Sequence, residues 1–119
     1  MINIEDFRNY CLAKKGVTEA FPFDESTLVF KVMGKMFALT DTEEAFRINL
    51  KCEPEKAVIL REQYPGTVLP GYHMNKKHWN LIIINGKIPD PQILQWVDDS
   101  YRLVCEKLTK EQQQVLKKM

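Results

Sequence analysis

The residues with the most chemistry to offer lie between Glu62 and Asp90, where no carboxylate interrupts a run holding Tyr72, His73, Asn75, Lys76, Lys77, His78, Trp79 and Lys87. Cations meet phosphate oxygens and flat side chains stack on exposed bases, so this composition suits contact with nucleic acid. A second acid-free interval, Ser26 to Thr40, carries Lys31 and Lys35. If the two segments lie side by side, they form one basic surface. Each also has a plainer reading: Trp79 packs in a core while the lysines solubilise a loop, and Lys31 and Lys35 mark the solvated face of an antiparallel sheet. The sequence leaves both readings of Trp79 open.

Other chemistries find less support. His73 and His78 are five residues apart with no cysteine nearby, a spacing that sets them on one metal neither in a helix nor in a strand. No GxSxG, glycine-rich phosphate loop or HExxH occurs. Asp98 and Asp99 are adjacent on a helical pattern, so their carboxylates point about 100° apart instead of converging. We expect no catalytic centre and no cofactor. Cys11, Cys52 and Cys105 are an odd, widely spaced set without a CxxC pair, which suits reduced thiols that serve as small apolar side chains and predicts neither a disulfide nor a structural metal.

The chain that must position these residues has 119 of them, near the usual size of one domain, and residues 1–119 are expected to form one. Hydrophobic residues make up 45% and charged residues 28%, the balance of an ordinary globular protein. The formal charge of +1 gives no global attraction for a polyanion, so any such attraction must be local. The longest purely apolar run, Leu81 to Ile84, is too short to cross a bilayer, and MINIEDFRNY lacks the basic-then-apolar order of a signal peptide. A cytoplasmic protein with no membrane contact is expected.

Asn3 with Asp6 forms an N-cap pattern for a helix over about 4–15, stopped by Gly16. After a connector containing Phe21, Pro22 and Phe23, TLVFKVMGKMFAL predicts a hairpin turning at Met33-Gly34-Lys35. Phe46, Ile48 and Leu50 alternate with Arg47, Asn49 and Lys51, the period of a half-buried strand. Pro54 opens a second helix to about Gln63, with Ala57, Val58 and Leu60 as its buried stripe. Thr67 to Leu69 suits a short strand that Pro70-Gly71 confines to an edge or a bend, and Trp79 to Ile84 is a further strand. Asp90 as cap and Pro91 as first residue begin a long helix with Leu94, Val97, Tyr101, Val104 and Leu108 on its main apolar row and Ile93, Trp96 and Leu103 on a second. Thr109 with Gln112 resembles a capping box, so the chain ends either in a short separate helix or in a continuation of the long one. The expected fold is α+β in the order α-β-β-β-α-β-β-α, a mostly antiparallel five-stranded sheet with helices packed on one face.

Four stretches, FPFDESTLVFKVMGKMFAL at 21–39, INLKCEPEKAVILREQYPG at 48–66, PGYHMNKKHWN at 70–80 and IPDPQILQWVDDSYRLV at 88–104, resemble the MmcQ/YjbR family. PGYHMNKKHWN is the most specific of them. The resemblance implies a compact α+β fold similar to CyaY and the secretion chaperones, and a double-wing DNA-binding role. The CyaY likeness invites an iron-chaperone reading, but the first helix offers only Glu5 and Asp6, not a dense acidic ridge.

Two functions follow as expectations. One is a non-catalytic module that binds DNA or another nucleic acid through Lys31, Lys35, Tyr72, His73, Asn75, Lys76, Lys77, His78 and Trp79. The other is a protein-interaction adaptor that uses the helical face or a sheet edge.

Overall fold

The computed structural model describes residues 1–43, 45–71 and 74–119. Helix α1 (Ile4–Leu12) is followed by four strands, β1 (Val17–Ala20), β2 (Thr27–Val32), β3 (Lys35–Asp41) and β4 (Arg47–Lys51). Helix α2 (Pro54–Gln63), strands β5 (Val68–Pro70) and β6 (Trp79–Ile83), and helices α3 (Asp90–Glu106) and α4 (Lys110–Lys117) complete the chain. All strand pairs are antiparallel, in the order β1-β2-β3-β4-β6-β5.

The sheet thus has six strands, not the expected five. The additional one, β1, lies in the segment assigned to a connector. Its four residues, VTEA, carry too little alternation to be recognised as a strand, and pairing with β2 supplies what its propensity does not. Glu19 on this strand is held by the Arg8 guanidinium of α1 at 2.6 Å.

Several local signals act as expected. The Asn3 carboxamide accepts from the Asp6 N–H while Asp6 returns a bond to the Asn3 N–H, closing a capping box on α1. Met33 and Gly34 both adopt positive φ, 49° and 82°, as a two-residue turn between twisted antiparallel strands requires. Thr109 and Gln112 cap α4 in the same reciprocal way, so the chain ends in a separate helix. Asp90 is the first residue of α3 and not its cap; its carboxylate instead accepts from the Ile2 N–H at 3.1 Å.

All four helices cover one face of the sheet. Phe7 and Cys11 of α1, Leu60 of α2, Val97 and Val104 of α3 and Leu116 of α4 share one core with Phe30, Ala38, Ile48, Leu50 and Ile82. The ring of Phe7 meets Phe30 edge-on at 5.5 Å, and Phe37 meets Tyr101 edge-on at 5.4 Å. On α3 the deeply buried row is Ile93, Trp96, Val97, Ser100 and Val104, whereas Leu94 is only half-buried. On α2, Ala57 and Leu60 are buried, but Val58 is 46% exposed. The apolar patterns announced that these helices bury a face; which row of a broad stripe goes deepest depends on how each helix rolls on the sheet.

One irregularity shapes the sheet. Phe30 pairs with Ala38 but Lys31 with Met36, so Phe37 is an extra residue on β3. This bulge brings Phe37 and Ala38 into the same helix-side core. It also interrupts the ladder to β4, whose last pair with β3 is Ala38 and Leu50. The Ser100 hydroxyl of α3 spans the break, accepting from the Lys51 N–H at 2.8 Å and donating to the Phe37 carbonyl.

Val97 is fully buried between α3 and the sheet. Val97→Ala should therefore lower unfolding free energy by about 1–3 kcal/mol in a urea titration. A change below a few tenths would place it on the wrong helix face.

The cysteines are free thiols. Burial pushes the Cys11 thiol up to about 12, so it stays protonated in the folded chain at neutral pH. Among the described residues no helix is long and apolar enough to cross a membrane.

Candidate functional site

The antiparallel register decides where the predicted lysines go. Lys31 pairs with Met36, Lys35 with Val32, and Lys51 with Trp79. Lys31 near the end of β2, Lys35 at the start of β3, Lys51 at the end of β4 and Trp79 at the start of β6 therefore share one end of the sheet. At about 4.8 Å per strand step, β2 and β6 are separated by about 14 Å there.

The segment leading into β6 adds two further cations. Asn75 accepts the N–H groups of His78 and Trp79 on its carbonyl, at 3.1 and 3.0 Å, and the N–H of Lys77 on its side-chain oxygen at 2.9 Å. An asparagine suits this position because its carboxamide mimics a backbone turn. Lys76 and Lys77 occupy the middle of the turn and are exposed. The turn is tied down twice: Arg61 of α2 donates to the Lys76 carbonyl at 3.3 Å, and the His78 carbonyl accepts from Cys52 N–H at 2.7 Å. His78 itself is half-buried. Tyr72 and His73 lie outside the described residues.

Gly71 explains the Pro-Gly pair before this segment. A Cβ there would come within 2.7 Å of the Trp79 Cβ and 3.1 Å of the Trp79 carbonyl oxygen, to which Gly71 also donates its N–H at 2.9 Å. Only glycine lets the outgoing strand pass so close to the returning one.

Among the described residues, Lys31, Lys35, Lys51, Lys76 and Lys77 enter no ion pair. The cations of the helical face behave differently. Lys14 contacts Asp98 and the rings of Tyr10 and Tyr101, while Lys56 and Arg102 converge on Asp99. Lys51 went unrecognised as a candidate because Glu53 and Glu55 follow it closely in sequence, and local composition hides a cation that the register carries to the lysine end.

Trp79 is 7% exposed and packs with Val29 and Leu39 in a second, smaller core, flanked by Met36 and Met74. That is the core reading of this residue. Its ring is not offered for base stacking, because those neighbours cover it on the sheet face opposite the helices.

Among the described residues, hollows adjoin the sheet on both faces. One, of about 90 Å³, lies beneath α2 and α3 and is lined by Leu50, Cys52, Lys56, Asn80, Trp96 and Asp99 among others. Burial pushes the Cys52 thiol up, a direction that disfavours the reactive thiolate. The larger hollow, of about 460 Å³, opens on the helix-free face. Neither brings together a nucleophile, a base and an oxyanion donor, and among the described residues no three His, Cys, Asp or Glu side chains are grouped to hold a metal.

Comparison with known proteins agrees with the order of elements. The YjbR family model matches residues 12–103. The Escherichia coli K12 protein YjbR is 34% identical over 116 residues, covering 97% of this chain and 98% of the relative. A crystal structure of the Deinococcus radiodurans protein DR2400 superposes with a TM-score of 0.91 at 39% identity, over 98% of this chain and 88% of that one. A Pseudomonas syringae crystal structure does so at 0.73 and 28%, over 86% and 98%. With the match extending from the end of α1 through most of α3, the chain belongs to the YjbR family.

Proposed function

We propose that the protein is a non-catalytic cytoplasmic accessory module that holds nucleic acid by its phosphates at the lysine end of the sheet. The observation that supports this reading is the convergence of Lys31, Lys35, Lys51, Lys76 and Lys77 on that end with no ion-pair partner among the described residues. Unpaired lysines spread over about 14 Å match the spacing of several successive phosphates. With Trp79 buried, contact is to the backbone and carries little sequence preference.

Few cations and a net charge of +1 limit affinity to the weak, non-specific range, with Kd of about 10⁻⁴–10⁻⁶ M at physiological salt. Fluorescence anisotropy on short single- and double-stranded oligonucleotides across a salt series tests the reading. Lys76→Glu with Lys77→Glu should reduce the slope of log K against log salt by about 2 and abolish binding at moderate salt. Thermal stability should stay nearly unchanged, because exposed turn charges contribute little to folding. Absence of binding at low salt, or binding indifferent to the double reversal, would sink the proposal. It would shift attention to the adaptor reading, for which α2 offers Val58 and Ile59, 46% and 50% exposed.

A further inference from the structure

The lysine end of the sheet has a second flank, where the first and last helices meet. Val17 opens β1 opposite Val32, the last residue of β2, and Val32 also stands opposite Lys35. Between α1 and β1 the chain turns through Gly16 at a φ of 74°, and α4 docks on that turn. A Cβ at Gly16 would lie 2.5 Å from Leu116 Cδ1, 3.1 Å from Met119 Sδ and 3.8 Å from Val32 Cγ2. The end of α4 therefore rests on the glycine, beside the end of β2. Lys15 fastens the contact. Its carbonyl accepts from the Tyr101 hydroxyl at 2.5 Å, and its Nζ donates to the Lys117 carbonyl at 3.4 Å.

This docking gathers cations from opposite ends of the sequence. Lys15, Lys117 and Lys118 are exposed, and among the described residues none of them enters an ion pair. Residues 107–119 hold Lys107, Lys110, Lys117 and Lys118 against one acidic side chain, Glu111, which lies in the first turn of α4, away from its docked end. Near α1, Glu19 is taken by Arg8 and Asp98 by Lys14. Lys14 shows the alternative fate of a lysine here, since it lies over the rings of Tyr10 and Tyr101 and serves packing. One cation at a helix C-terminus is ordinary, but like charges gathered without a carboxylate repel one another and favour an anion.

Directly opposite residues of a sheet share a face. Lys35 shares the helix side with Val32, toward α4, whereas Lys31 and Lys51 share the other side with Met36 and Trp79. Cations thus stand on both sides of the sheet end, and from β1 to β6 they span four strand steps, about 19 Å. Each strand of a duplex carries a phosphate about every 3.4 Å along the axis, so this span faces about five or six of them. Duplex phosphates are held in place, as this sheet end is, and rigid partners lose little ordering entropy on binding. A flexible single strand loses more, and Trp79, being buried, offers it no ring to stack on.

We infer that α4 completes the lysine end: Lys15, Lys117 and Lys118, with Lys35, form the second half of a phosphate-binding surface whose ligand is double-stranded nucleic acid. The inference rests on the nucleic-acid reading and adds to it a helix beyond residues 12–103, which the family model matches.

Anisotropy across a salt series, with a duplex of about 20 base pairs and with one of its strands alone, is the test. Wild type should bind the duplex more tightly than the single strand. Lys15→Glu, Lys117→Glu and Lys118→Glu together should weaken duplex binding about tenfold or more at low salt and reduce the slope of log K against log salt by about 3, at about 0.9 per phosphate contact. Lys87→Glu, beyond the other end of β6, should leave the slope unchanged. Because Lys15 holds the end of α4, a milder variant, Lys117→Gln with Lys118→Gln, keeps that bond and still removes two contacts. Its slope should fall by about 2 with the melting temperature unaltered. If Lys76→Glu with Lys77→Glu weakens binding while neither α4 variant does, the inference falls and the nucleic-acid reading stands. Tighter binding of the single strand by wild type would also overturn the inference alone. Failure of wild type to bind either probe at low salt would overturn both.

Discussion

Phe30→Ala should destabilise the protein by about 3–5 kcal/mol, the loss expected for a fully buried phenylalanine. Phe30 is fully buried in β2, with Ala38 opposite it on β3 and the Phe7 ring edge-on at 5.5 Å. The cavity left behind has little means of closing. Its sheet neighbours are fixed by backbone pairing on both sides, and the small Ala38 has no side chain to move inward. Against the total stability of about 5–15 kcal/mol usual for a domain, such a loss removes a large share. Urea unfolding with an unchanged m-value measures it, and the midpoint of thermal melting should fall by more than about 10 °C. A loss below about 1 kcal/mol would mean that α1 does not close over the sheet at this point.

A smaller change in volume should have nearly as large an effect at Ser100. Removing its hydroxyl in Ser100→Ala strands two backbone groups, the Lys51 N–H and the Phe37 carbonyl, in a fully buried place. Each unsatisfied group costs about 1–3 kcal/mol, so a total loss of about 2–6 kcal/mol is expected. Helix propensity acts in the opposite direction, because alanine is favoured over serine in a helix interior by about 0.5 kcal/mol. The sign of the measured change therefore decides between a surface-like serine and a bridge from helix to sheet. Amide exchange adds a local reading: the Lys51 amide should exchange faster in the variant than its neighbours in β4. A neutral or stabilising result would show that the bulge in β3 closes without help from α3.

The same bulge bears on the lysine end of the sheet. Without the extra Phe37, Met36 and everything N-terminal to it on β3 would change faces, since a shift of one residue reverses the alternation of a strand. Met36 would leave the small core around Trp79, and Lys35 would take a different side of the lysine end. A packing device on the helical face thus fixes what the opposite face presents.

The sequence by itself determined most of the elements, because their signals are local. Asn3 with Asp6 and Thr109 with Gln112 are caps that satisfy their own helix ends. Met33-Gly34 supplies the turn of its hairpin, and the alternation of Ile48 and Leu50 with Arg47, Asn49 and Lys51 marks a strand with one buried face. Composition also singled out Lys76 and Lys77, which a turn built by Asn75 exposes. Only the tertiary structure decided the rest. β1 exists because β2 offers it partners, and neither its length nor its residues announce it. Trp79 is buried because Val29, Leu39 and Met36, distant in sequence, cover it together with the nearby Met74, and the distant three are absent from its own neighbourhood in sequence. Lys51 joins the lysine end, and Asn49 sits between Leu39 and Leu81, through strand register. Register is a contact between distant segments, set by which faces must be buried together, and no local pattern of residue types contains it.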